Sequence, residues 1–232
     1  MSSPPILDAS NDQAQTPISR RHRFGHLAAC LAAPLWALQS VIWLAAPKVQ
    51  EASAPFTITK PLLFVLFWLS ITGAVAFSAA SAADIPGVIQ APGSRVSRWA
   101  KVLATIALCL AAGAMISLVA AVLSGSQGVA IGLMTSLLNG ALLILALSVS
   151  LSALLSWRVD RTARSTSIRV TAVAVATMTM IAAILTSGSH TMFGLYLAVA
   201  VAAFNGIVWF VWARASAMRR RRQDPDPQDR GQ

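Results

Sequence analysis

With 56% hydrophobic and 11% charged residues over 232 positions, and a mean hydropathy of +0.67, this chain has more apolar surface than one water-facing shell can cover. A soluble domain carries roughly 25% charged residues, so an ordinary globular domain is excluded and a bilayer is the fitting solvent. The net charge of +10 does not point to nucleic acid, because the basic residues stand in short clusters between apolar runs rather than along one polar face.

Residues 1–25 are rich in Ser, Pro, Gln and Asn and close on the basic run Arg20, Arg21, His22, Arg23. They read as a disordered cytosolic arm. The apolar run that follows is too long for the core of an export signal, and Pro47 comes after the nearest small-residue site, so a retained first span is expected. Six apolar runs of the length a bilayer core requires fall at residues 26–46, 61–83, 102–123, 129–155, 168–187 and 193–213. Residues 214–232 form a basic tail, expected to be disordered. The fold class is therefore an all-α, polytopic membrane helix bundle with six transmembrane helices and both termini cytosolic, placed in the cell membrane as a multi-pass protein.

Orientation follows from the basic residues. With both termini inside, every one of the 18 Lys and Arg residues except Lys48 and Lys60 falls on the cytosolic side, as the positive-inside rule requires. One span more or fewer would strand a basic cluster on the wrong side. Trp99, Trp157, Trp209 and Trp212 fall at cytosolic ends and Trp43 near the outer end, the positions of an interfacial aromatic belt. Cys30 and Cys109 lie inside apolar runs without ligand spacing and are expected to be small buried apolar residues.

The fourth span carries a small residue at every fourth position: Ser124, Gly128, Gly132, Ser136, Gly140, then, past Ile144, Ser148, Ser152 and Ser156. Such stripes let helix backbones approach closely. Gly128, Gly132, Ser136 and Gly140 are thus expected to pack on another span or another subunit. The sixth span repeats the pattern with Gly194, Ala198, Ala202 and Gly206.

Aromatic residues are absent from the interiors of spans three to five and gather in the others. Trp36, Gln39 and Trp43 share one face of span one. Phe64, Phe67 and Trp68 belong to a stripe on span two, and Asn205 flanks the small residues of span six. Together these seven residues are expected to line an outer pocket for a hydrophobic small molecule or lipid. The competing reading has the aromatics filling gaps and Gln39 and Asn205 bonding neighbouring helices.

All eight acids (Asp8, Asp12, Glu51, Asp84, Asp160, Asp224, Asp226 and Asp229) lie in tails, in loops or at span edges. Charge at membrane depth marks proton relays and ion coupling, so a self-powered transporter is disfavoured. There is no P-loop, no HExxH and no Cys/His cluster, and neither metal nor cofactor is expected. The first functional expectation is a small-molecule binding or permease subunit that takes its energy from a partner, another membrane or ATPase subunit. A membrane-embedded enzyme acting on an isoprenoid or lipid is the alternative, with Asp84, Glu51 or Asp160 as proton donor beside aromatic walls. An accessory or assembly protein is the third.

The span count and orientation are broadly similar to those of the substrate-binding membrane components of vitamin uptake systems and of small two-subunit export permeases. The Ala28-xxx-Ala32 and Ala29-xxx-Ala33 spacings resemble the docking pattern of the former. That resemblance covers one helix, implies an ATPase-containing partner and carries no site residue across.

Overall fold

The computed structural model describes residues 16–51, 59–89, 93–124, 127–159, 164–186 and 192–223. Apart from short turns around α3 and before α4, their secondary structure is helical: α1 (Thr16–Glu51), α2 (Thr59–Ala82), a single turn α3 (Ile85–Val88), α4 (Arg95–Ser124), α5 (Gln127–Val159), α6 (Arg164–Thr186) and α7 (Met192–Gln223). Helix reaches into both of the stretches expected to be arms. Helix α1 starts ten residues inside the expected arm, with Pro17 in its first turn, where a missing N–H costs nothing. Helix α7 runs on to Gln223 because Ala, Met, Arg and Gln are all good helix formers.

Cross-helix contacts fix the direction of each element. Gly25 meets Asp84 and Leu35 meets Gly73, so α1 and α2 are antiparallel. Gly113 meets Leu137 while Leu110 meets Gly140, which makes α4 and α5 antiparallel. Asn205 bonds Ala176 between α6 and α7, and His26 bonds Ser216 between α1 and α7. Neighbours in sequence are neighbours in space, and α7 returns to α1, so the six long helices close into a ring with α2 and α5 touching across it.

Alanine makes this closeness possible. Helix α4 turns Ala100, Ala104, Ala107, Ala111 and Ala114 inward, each fully buried, in the three- and four-residue spacing of one helix face. The outer faces are equally apolar. Leu31 and Leu38 on α1, Ile116 on α4, Leu143 and Leu147 on α5, and Ile207 and Phe210 on α7 are all exposed. An apolar surface that encircles a bundle suits hydrocarbon rather than water. Among the described residues, five stretches are long and apolar enough to cross a membrane: Phe24–Ile42, Val65–Val88, Arg95–Leu123, Gly132–Val159 and Tyr196–Met218. The protein is an all-helical, multi-pass membrane protein.

Two local expectations are corrected. Cys30 and Cys109 are exposed on the outside of the bundle, where lipid is as apolar as a core. Of the four tryptophans expected at one interface, Trp99 and Trp157 face outward but Trp209 and Trp212 are buried. They extend the inward face of α7 that begins with Ala198, Ala202 and Asn205.

Candidate functional site

The structure joins the residues of the expected outer pocket mainly to one another and to neighbouring helices. Trp36 is 1% exposed. Its indole N–H donates to Ser78 Oγ on α2 at 3.1 Å, and its Cβ borders Gly206 on α7. One side chain thereby ties three helices. Gln39 is fully buried and its Oε1 accepts from Ser70 Oγ at 2.6 Å. Asn205 donates through Nδ2 to the Ala176 carbonyl at 3.0 Å and to the Val201 carbonyl of its own helix at 2.9 Å. Phe67 and Trp68 are half-buried and meet edge to face, with centroids 5.1 Å apart. The side chains of Trp43 and Phe64 lie outside the described residues, although both positions fall within α1 and α2.

The stripe on α5 divides. Ser148, Ser152 and Ser156 are buried, and Ser148 Oγ donates to the Ala100 carbonyl of α4 at 2.7 Å. Gly140 is half-covered, with Leu110 3.6 Å from where a β-carbon would stand. Gly132 has nothing within 4 Å of that point. Ser136 is exposed and its hydroxyl donates to the Gly132 carbonyl of its own helix. The Gly128 position is in α5, with its surroundings outside the described residues. The alanines of the span-one docking resemblance, Ala28, Ala29, Ala32 and Ala33, are 0–7% exposed. They face the bundle's own helices and present no free docking surface.

At one end of the bundle the alternating helices gather every described basic side chain: Arg95, Arg98, Lys101, Arg158, Arg164, Arg169 and Arg214. The only acidic side chain among the described residues, Asp84, lies here as well. Its carboxylate is pressed against the backbone of Gly25. A β-carbon on Gly25 would stand 2.5 Å from Asp84 Oδ2 and 2.6 Å from its Cβ. The whole residue would have to move, not merely its tip. Gly25→Ala is therefore expected to loosen the α1–α2 junction and lower stability by about 1–3 kcal/mol, read as a lower melting temperature in detergent, with Gly132→Ala, where nothing lies within 4 Å of the new β-carbon, as the control.

His26 on α1 donates or accepts at Nδ1 with Ser216 Oγ on α7, 3.0 Å away. The Ser216 hydroxyl has the Ala213 carbonyl at 2.8 Å as an acceptor. With its one proton placed there, Ser216 leaves a lone pair for His26 Nδ1–H. Beside this pair, Val88, Arg169, Trp212, Ala215 and Ser216 line a shallow, open cleft. Sequence reading treats Arg169 as a topology signal and does not single out His26 or Ser216. Their one legible trait is that they stand at the same ends of the first and last spans.

Of the three candidate acids, Asp84 alone has a described side chain; those of Glu51 and Asp160 lie outside the described residues. Asp84 is remote from the aromatic group. Gly25, which it touches, is eleven residues from Trp36 along α1, about 16 Å at helical rise. Among the described residues no three His, Cys, Asp or Glu side chains gather as metal ligands would. The chain matches no protein-family model, no curated protein and no solved structure.

Proposed function

We propose that this protein is a six-span subunit of the cell membrane, with both ends in the cytosol, which binds a hydrophobic small molecule or lipid and draws any energy for transport from a partner. The observation that carries the reading is the distribution of charge. Every described charged side chain stands at one end of the ring, and the described interior is joined by Ser, Trp, Gln and Asn hydrogen bonds rather than ion pairs. A translocation step driven by protonation needs a titratable group at depth, and a nucleotide-binding or ATPase partner is the simplest source of energy for a bundle built this way.

The sixth crossing in this reading is α6. Its hydropathy is lowered by Thr177 and Thr179, yet their hydroxyls donate to the Val173 and Ala176 carbonyls of the same helix. Polarity satisfied inside the helix costs lipid little. At 23 residues it is about 34 Å long, enough for a hydrocarbon core of ~30 Å. It also links the end of α5 to the start of α7, which lie at opposite ends of the ring. Outward Val175 and Met178 give it an apolar face.

The isoprenoid-enzyme reading is the weaker one, because Asp84, the one candidate acid with a described side chain, contacts Gly25, about 16 Å along α1 from Trp36. Purification in mild detergent followed by mass spectrometry separates the two. Co-purification of an ATPase-containing protein supports the subunit; a retained polyprenyl compound without a partner replaces it with the enzyme. A reporter active only outside the cell, fused at residues 160–163, should stay dark, and activity there would overturn the topology.

A further inference from the structure

We infer that the cleft between α3, α6 and α7 is a binding site for the phosphate of an anionic phospholipid headgroup. Its depth supports this first. Val88 closes the apolar stretch Val65–Val88, and Ala215 and Ser216 lie within the last turn of Tyr196–Met218, so the cleft opens at the level where lipid phosphates meet water. Its chemistry supports it next. The half-buried Arg169 supplies a planar cation suited to phosphate oxygens, against apolar walls from Val88, Trp212 and Ala215 that suit a glycerol backbone and the first methylenes. Arg164 and Arg214 add positive charge at the same end, while Asp84, the single described acid, is turned to Gly25 on α1.

The cleft is shallow and open at its mouth, so a phosphate would rest against Arg169 at the surface rather than be enclosed. The back of the cleft is set rather than loose. Ser216 is held by His26 and Ala213, and Trp212 is 6% exposed. Arg169 differs in this from Arg158, which is exposed at the end of α5 and offers only diffuse attraction.

The test uses the full chain in nanodiscs of phosphatidylcholine with or without phosphatidylglycerol, released for native mass spectrometry. The wild-type protein should retain phosphatidylglycerol in preference to phosphatidylcholine. Arg169→Gln should lower that preference about fivefold, the equivalent of ~1 kcal/mol for one basic group near an anionic surface. Arg158→Gln should retain most of it, and Arg169→Lys, which keeps the charge but not the planar fork, should fall between the wild type and Arg169→Gln. Equal losses in Arg169→Gln and Arg158→Gln, or no preference in the wild type, would reduce the site to general surface attraction and overturn the assignment.

A measurement on the unmodified sequence guards against a variant that does not fold. An arginine-selective reagent should label Arg169 less when phosphatidylglycerol is present and Arg158 equally in both discs; equal labelling of Arg169 overturns the proposal. Inorganic phosphate is the remaining arm. If millimolar phosphate alone protects Arg169 in lipid-free detergent as well as phosphatidylglycerol does, the site takes free phosphate and the lipid assignment fails.

Discussion

Replacing Gly206 with Leu should open the ring between α1 and α7. A β-carbon at this position would stand 3.3 Å from the Ala33 carbonyl oxygen and 3.4 Å from the Ala37 nitrogen. Both are backbone atoms of a continuous helix and cannot rotate aside as a side chain could. Alanine would force a shift of a few tenths of an ångström, whereas leucine would have to place three further carbons where α1 already runs. Overpacking of this kind costs about 3 kcal/mol, and more where backbone is the obstacle. Gly132→Leu is the matched control, since nothing lies within 4 Å of the new β-carbon. Melting of both variants in one detergent, followed by the loss of helical signal, should show a large drop for Gly206→Leu and almost none for Gly132→Leu. If Gly132→Leu left the monomer intact but removed a co-purifying protein, the open part of the α5 stripe would belong to a partner. Equal drops would mean that the two stripes pack alike, against the geometry.

This contrast shows what periodicity can and cannot disclose. Gly132 and Gly206 belong to the same kind of pattern, a small residue at every fourth position. Spacing says which residues share a helix face; it does not say whether that face meets a neighbour. The ring settles that by making α7 the partner of α1 and leaving Gly132 and Ser136 of the α5 stripe uncovered. Long apolar runs and arginine clusters were readable because each depends on one segment alone. The gathering of His26, Asp84, Arg169 and Ser216 at one end was implicit in strict up-and-down alternation, but their pairing depends on which helices are adjacent. Trp209 and Trp212 illustrate the same limit. Their place in the sequence suits a membrane interface, and only the inward turn of α7 commits them to the bundle. Thr177 and Thr179 lower the hydropathy of α6 although their hydroxyls are already occupied within the helix.

Trp36→Ala should be the most damaging single truncation on α1, and its consequences distinguish a structural residue from one that lines an empty pocket. The indole is 1% exposed, bonds Ser78 on α2 and borders Gly206 on α7. Removing a fully buried Trp side chain costs about 3–5 kcal/mol through lost contacts and the cavity left behind. The lipid-solvated state already offers the ring an apolar surrounding, so the lower part of that range is expected here. Trp36→Phe keeps most of the volume and forfeits the bond to Ser78, a loss of about 0.6–1.7 kcal/mol for a hydrogen bond between membrane helices. A dry cavity lined by apolar groups can bind a small aromatic guest, so added indole should recover part of the lost melting temperature of Trp36→Ala and none of that of Gly206→Leu, where space has been filled rather than emptied. Were Trp36 instead the wall of a preformed ligand site, Trp36→Ala would melt like the wild type and lose only a co-purifying small molecule. The buried bonds of Gln39 and Asn205 on the same inner faces argue for the first outcome, because a group already satisfied by a neighbouring helix has little left to offer a guest.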